Sequence, residues 1–296
     1  MHINKLAIIG VGLIGGSLAR ALRRAKSCDQ IMGFGRNRDH LKKAVELGII
    51  DDFSTQLERV VNDADVVVLA TPLKTTESLL REIRPLLQET VVITDVGSAK
   101  TCVIEDAKEV LGNYLPRFVP GHPIAGTEKS GVEASFAELF QDHRVILTPL
   151  PETAVDALQQ VTSMWESVGA EVTHLSAEHH DEILAATSHL PHLLAYALVD
   201  CLAGMRDRDE IFEFAAGGFA DFTRIASSHP EMWHDICFSN RRQLLAVFDH
   251  FNSRLQTIRQ AIEQGDSETL LNIFTRAKQS RDRFTDNRKK IPNDIE

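Results

Sequence analysis

The first half of the chain alternates short apolar runs with amphipathic stretches. Residues 5–10, 31–35, 64–70, 91–95, 117–119 and 144–147 are short, mostly apolar runs that read as strands, with helical spacing at 14–26, 39–47 and 153–168 and a further short strand at 171–175. Gly48 stands where a helix stop is expected, and Pro149 and Pro151 break the chain after the 144–147 run. The run Ala-Asp-Val-Val-Val-Leu-Ala at 64–70 is apolar on both faces, which predicts a central strand of a parallel sheet. This rhythm of strand and helix is that of βαβ units, so the expected class is α/β with a Rossmann-type doubly wound parallel sheet.

From Ser176 onward the β-type runs vanish, and segments such as 177–204 and 239–264 carry apolar residues at helical spacing. The expected organisation is a dinucleotide-binding domain over 1–172, an all-helical domain over 173–286 and a flexible tail over 287–296. Met205, Phe212, Phe214 and Phe219 are expected in the helical core.

Composition narrows the functional classes. At 296 residues, 43% apolar and 25% charged, the chain is an ordinary globular protein long enough for two domains. Its 32 Lys and Arg against 42 Asp and Glu leave a net charge of -10, which disfavours nucleic acid and anionic membrane surfaces as partners. A small anionic substrate stays open, because a pocket needs only one or two placed cations. The four cysteines, Cys28, Cys102, Cys201 and Cys237, lack metal-knuckle or redox-pair spacing, as expected in a reducing cytoplasm. The apolar run at 6–19 superficially resembles a signal peptide, but its glycines and the arginines behind it read as folded structure. No run approaches the 18 or so apolar residues of a membrane helix.

Gly10-Val-Gly12-Leu13-Ile14-Gly15 follows the first strand and opens the first helix, where a dinucleotide fingerprint belongs. The missing side chains permit a tight turn at Gly10, backbone approach to a pyrophosphate at Gly12 and close helix packing at Gly15, while the helix N-terminus faces the phosphate charge. About 20 residues on, where NAD enzymes place a carboxylate for the ribose, stands Gly35, followed by Arg36, Asn37 and Arg38. Guanidinium groups suit a 2′-phosphate, so NADP is the expected cofactor, with NAD also allowed. The plainer alternative makes Arg36 and Arg38 the solvated start of the next helix. Thr71 and Pro72, at the end of the 64–70 strand, border the same crevice.

Polar clusters close two more strand ends, Asp95-Val-Gly97-Ser98-Ala-Lys100 and Pro120-Gly-His122-Pro-Ile-Ala-Gly126-Thr-Glu128. The helical half adds Ser188-His189-Leu-Pro-His192, Asp221-Phe-Thr-Arg224 and Trp233. In these motifs, in this order, the chain resembles the prephenate and arogenate dehydrogenases of tyrosine biosynthesis. The resemblance implies oxidative decarboxylation of prephenate or arogenate, with hydride transfer to a nicotinamide cofactor, by a homodimer paired through its helical domain. It makes His122 the base for the ring hydroxyl, Ser98 a group that places that hydroxyl and the nicotinamide, and Arg224 the clamp on a substrate carboxylate. His192, or else His189, would meet the substrate side chain. Glu128 and Asp221 would support the site, with Asp221 orienting Arg224, and Trp233 would form part of the wall.

Each residue also has a plainer reading. Ser98 can cap the helix that starts near Lys100, and Arg224 can be an ordinary partner of Asp221. His189 and His192, with Glu178-His-His-Asp181 nearby, resemble metal ligands, but no zinc-helix pattern accompanies them and no metal is expected. Two other functions fit the two-domain plan: a β-hydroxyacid or imine-reducing dehydrogenase, and a non-enzymatic NADP-sensing protein. The Gly-His-Pro and Asp-Phe-Thr-Arg motifs speak against the first, and the intact polar clusters against the second.

Overall fold

The computed structural model describes residues 2–206 and 208–289. Six parallel strands form the main sheet: β1 (Ile3–Ile9), β2 (Cys28–Phe34), β3 (Asp52–Ser54), β4 (Val66–Leu69), β5 (Val92–Asp95) and β6 (Phe118–Val119), in the order β3-β2-β1-β4-β5-β6. This is the doubly wound order whose direction reverses between β1 and β4, so ligands are expected beyond the C-terminal ends of those strands. The crossover helices are α1 (Leu13–Ala25), α2 (Arg38–Glu46), α3 (Leu57–Val61), α4 (Thr76–Ile83) and α5 (Thr101–Val110).

Strand alternation divides the core in two. Leu6, Ile8, Val66 and Val68 join one buried cluster, and Ala7, Ile9, Val67 and Leu69 the other, so both faces of the sheet are covered. The short edge strand β3 has no apolar run to announce it. A second departure follows β6, where Pro120 has no N–H to continue a ladder. The chain leaves the main sheet there, and β7 (Gly121–Pro123), β8 (Arg144–Leu147) and β9 (Glu171–His174) form a separate sheet, with β7 antiparallel to β8 and α6 (Val155–Ser167) between β8 and β9.

The rest is helical: α7 (Ala177–Leu184), a π-helical turn (Ala185–His189), α8 (Leu190–Ala203), α9 (Arg208–Glu213), α10 (Gly217–Thr223), α11 (Pro230–Ser239), α12 (Arg241–Gln264) and α13 (Ser267–Lys289). The described residues through Leu244 make one compact unit and those from Leu245 a second. Trp233 and Ile236 of α11 join the same buried cluster as α4 and α5. Three residues expected in the core are on the surface of the single chain, Met205 at 45%, Phe212 at 36% and Phe214 at 77% exposed, while Phe219 is half-buried. Of the expected tail, 287–289 continues α13 and 290–296 lies outside the described residues. Among the described residues no helix is long and apolar enough to cross a membrane.

Candidate active site

The turn between β1 and α1 needs its glycines for different reasons. Gly10 has φ of 101°, and a Cβ there would lie 2.4 Å from the Ala70 carbonyl oxygen; one on Gly15 would lie 2.3 Å from the Gly10 oxygen. Beside Gly12, by contrast, a Cβ would meet nothing within 4 Å. That open space lies at the start of α1, which has no side-chain cap and no acidic residue in its first turn, so its N–H groups are available to a phosphate. These residues fit a dinucleotide. Leu13 and Ile14 begin the helix, half-buried against the core.

Beyond β2, Gly35 is followed by exposed Arg36 and Arg38, neither of which has a carboxylate partner among the described residues. Asn37 between them caps α2, accepting from the Asp39 and His40 N–H groups. Beyond β4, Thr75 Oγ1 donates to the Pro72 carbonyl (2.7 Å), so it accepts from the Thr71 hydroxyl (2.9 Å). These bonds order the turn at Thr71 and Pro72 that follows β4.

A buried cluster of titratable groups is assembled at the end of β5 and within β7. Asp95 closes β5 with its side chain almost wholly buried, its Oδ2 at 2.5 Å from Lys100 Nζ and 2.8 Å from the Gly97 N–H. Its other oxygen accepts from the Gly121 N–H (3.1 Å), while Lys100 Nζ donates to the Gly121 carbonyl (2.7 Å). The residue before His122 is thus held on both backbone groups by a buried ion pair. Ser98 sits half-buried in the turn between Asp95 and Lys100. It does not cap α5: the Asp181 carboxylate takes that place, accepting from the N–H groups of Lys100 (2.8 Å) and Thr101 (2.9 Å).

Asp181 connects to the rest of the cluster. His180 Nδ1 lies 2.8 Å from Asp181 Oδ1, and His180 Nε2 lies 2.9 Å from His122 Nδ1. Asn240 Nδ2 donates to the Asp181 carbonyl (2.8 Å) and meets His189 Nδ1 at 3.1 Å, so His189 accepts there and carries its proton on Nε2, with the Ser98 backbone as its neighbour. His180 and His189 are nine residues apart, which in a uniform α-helix puts them about 180° apart. The π-helical turn at Ala185–His189 takes up part of that rotation, and both rings reach the same cluster.

Burial is the leading cause that holds His122, His180 and His189 below the ordinary 6.5, His189 at about 4. The nearby Lys100 charge adds to it for His122 and His180, whereas Asp181 opposes it for His180 and His189. An unfolded chain binds these protons from about pH 6.5 downward and the folded one does not, so stability is complete above that pH and falls as pH drops below it. His189 alone accounts for a loss on the order of 3 kcal/mol by about pH 4. Thermal melting from about pH 7.5 to about 4.5 should show a steady decline, and a flat midpoint over that window would contradict the burial of these rings.

Around this centre, His192 stacks on Trp233 with ring centroids 3.6 Å apart and bonds through Nδ1 to the Ser188 carbonyl. Burial lowers its pKa, as does the Arg224 charge, while the bond to Ser188 opposes them. Arg224 pairs with Glu128 at 3.3 Å. It does not pair with Asp221: α10 ends at Thr223 and Arg224 begins a 3₁₀ turn, so the helical i, i+3 spacing between them is lost. The structure therefore joins His122 with His189, His192 with Trp233, and Arg224 with Glu128, and leaves Asp221 exposed. Among the described residues no group of three or more His, Cys, Asp or Glu is placed to hold a metal. Asn240 and the Asp95–Lys100 pair carry no expected role from the sequence, and His180 and Asp181 only the disfavoured metal one. The one available signal was a His-Asp pair in the helix directly after the last strand.

Comparison with known proteins decides the family. Residues 18–174 match the prephenate dehydrogenase nucleotide-binding domain and residues 176–276 the prephenate dehydrogenase dimerization domain. The chain belongs to the prephenate dehydrogenase family. A cyclohexadienyl dehydrogenase of Zymomonas mobilis is 39% identical, over 93% of this chain and 94% of its own length. A Bacillus subtilis prephenate dehydrogenase is 37% identical over 94% of this chain and 76% of its own. Among solved structures, the Aquifex aeolicus prephenate dehydrogenase in complex with hydroxyphenyl propionate and NAD+ superposes with a TM-score of 0.90 at 38% identity, covering 96% of this chain and 99% of that one. A Synechocystis arogenate dehydrogenase gives 0.79 at 29%, covering 95% and 99%. Membership in this family sets aside the hydroxyacid-dehydrogenase and cofactor-sensor readings.

Proposed function

We propose that the chain oxidatively decarboxylates prephenate, arogenate or both, using a nicotinamide cofactor with NADP preferred. The observation that carries this is the chain of bonds from Asp181 through His180 to His122, which lies in β7 just past the end of β6. A carboxylate only accepts, so His180 holds its proton on Nδ1, His122 donates from Nδ1, and the lone pair of His122 is left on Nε2. A neutral imidazole with a free nitrogen is the base that a ring hydroxyl requires as its carbon loses hydride. The bound cofactor supplies the hydride acceptor, CO2 leaves and the ring becomes aromatic, so the protein's part is orientation and one proton acceptance.

Ser98 helps place the hydroxyl. Arg224 takes a substrate carboxylate in the position where Glu128 now offers its own, and His192 on its Trp233 platform meets the substrate side chain. The glycine turn Gly10–Gly15 holds the pyrophosphate, with Thr71 and Pro72 along the crevice. Arg36 and Arg38, without a carboxylate partner among the described residues, suit the 2′-phosphate. The protein acts as a cytoplasmic homodimer. Supporting this are the match to a dimerization domain, the free thiols, and exposed apolar side chains on the helices such as Phe238, Leu245, Ile262, Leu271 and Phe274.

Initial rates with prephenate and arogenate, each with NAD and NADP, test the reading. Reduction is expected with at least one substrate and a lower KM for NADP, and the Arg36→Ala, Arg38→Ala double variant should lose that preference. An equal or better KM for NAD removes the assignment of the two arginines. No reduction with any of the four pairs removes the function.

A further inference from the structure

We propose that His180 and Asp181 are positioning residues of the reaction: they fix the tautomer and plane of His122 so that its Nε2 is the basic nitrogen. The inference rests on His122 being the base. Nothing in the reaction itself demands these two residues, and neither belongs to the motifs that identify the family in this sequence.

The geometry is a line of three side chains in which each bond decides the next. Asp181 accepts two backbone N–H groups at the start of α5, so its carboxylate is held ionised and fixed at the positive end of that helix. It then takes the Nδ1 proton of His180 at 2.8 Å. His180, wholly buried, presents its remaining lone pair to His122 Nδ1 at 2.9 Å, with the ring planes inclined at 64°. His122 has one proton to place while neutral, and this contact takes it. When the substrate hydroxyl gives up its proton, the proton ends on His122 Nε2, the Nδ1 proton stays where it was, and the new positive charge strengthens the bond to His180 with the Asp181 carboxylate behind it. Lys100 and His189 are the other titratable groups whose charge reaches His122, and Lys100, Asp181 and Asp95 those that reach His180. Lys100 is committed to Asp95 and Gly121, and His189 to Asn240, so neither supplies an acceptor for His122 Nδ1. The logic is that of an orienting carboxylate behind a catalytic histidine, with a second imidazole inserted between them.

The most direct test reads the wild-type protein itself. Nitrogen-15 spectra of the ring nitrogens in the full-length wild-type protein, with His122 assigned by loss of its signals in His122→Asn, should show His122 protonated on Nδ1 near neutral pH. Protonation on Nε2 instead would overturn the proposal. This reading does not depend on which substrate is turned over, so it separates from failure of the assigned reaction. In kinetics, His180→Phe should lower kcat roughly 10²-fold with KM and cofactor affinity little changed. His180→Gln, whose amide oxygen reaches the position of the imidazole Nε2, should recover most of the loss. A kcat within twofold of wild type in a folded His180→Phe protein, or a loss that Gln does not restore while cofactor binding is intact, would also overturn it. If His180→Phe fails to fold, the spectra decide.

Discussion

Replacing His122 by asparagine lowers turnover by roughly 10²- to 10⁴-fold, the range that removal of a positioned general base produces. The substitution is chosen because the fold should tolerate it. The amide nitrogen of asparagine reaches about as far as imidazole Nδ1 and can still donate to His180, so the buried line back to Asp181 keeps its partners. What disappears is the basic nitrogen at Nε2, and an amide oxygen is far too weak a base to replace it. Cofactor affinity should stay within about twofold, because the glycine turn after β1 and the edge at Thr71 and Pro72 belong to other strand ends and touch neither ring. Steady-state turnover beside a direct cofactor titration separates the two effects. Near-normal turnover in a variant that binds cofactor normally would take His122 out of the chemistry, and the positioning of its ring by His180 would lose its purpose.

What the sequence made legible is what local rules decide. The strand-turn-helix at Gly10–Gly15 depends on side chains that would collide within a few residues or with the adjacent strand, and the sheet centre at β4 shows in a run apolar on both faces. His122 was visible because Gly-His-Pro directly follows a strand. The partners of these residues were not visible, because they come from far along the chain: His180 lies 58 residues beyond His122, and Arg224 lies 96 beyond Glu128. Periodicity misled at Asp221 and Arg224, which share a face only if the helix continues, and it ends between them. His180 and His189, nine residues apart, would sit on opposite faces of a regular helix, and the π-helical turn takes up part of that rotation. Such a turn has no composition of its own to read. Met205, Phe212 and Phe214 look like core on hydrophobicity alone, but the described residues leave them exposed.

Lys100→Met should be the most destabilising of the simple substitutions at this site. The ammonium is wholly buried, 2.5 Å from Asp95 Oδ2, and its removal leaves a carboxylate that is itself 4% exposed, together with an unpaired Gly121 carbonyl. Breaking a buried ion pair from one side costs about 3–5 kcal/mol, against a total of about 5–15 for a domain. Methionine nearly matches the lysine stem in length, so the loss measures the charge and its hydrogen bonds rather than a cavity. Adding Asp95→Asn should restore part of the stability, since no uncompensated charge then remains, although the amide has a single oxygen and only one of the Gly97 and Gly121 N–H groups keeps an acceptor. Urea unfolding of the two single variants and the double variant, at one protein concentration, gives the coupling directly. A Lys100→Met protein within about 1 kcal/mol of wild type would show that the pair is not what holds this strand end. The same variant bears on catalysis, because Asp95 and Lys100 grip the N–H and the carbonyl of Gly121, the residue that hands the chain to His122. A base aligned from one side by His180 and from the other by this backbone clamp loses precision when either support is released, so turnover in the double variant should stay below wild type even where stability has returned.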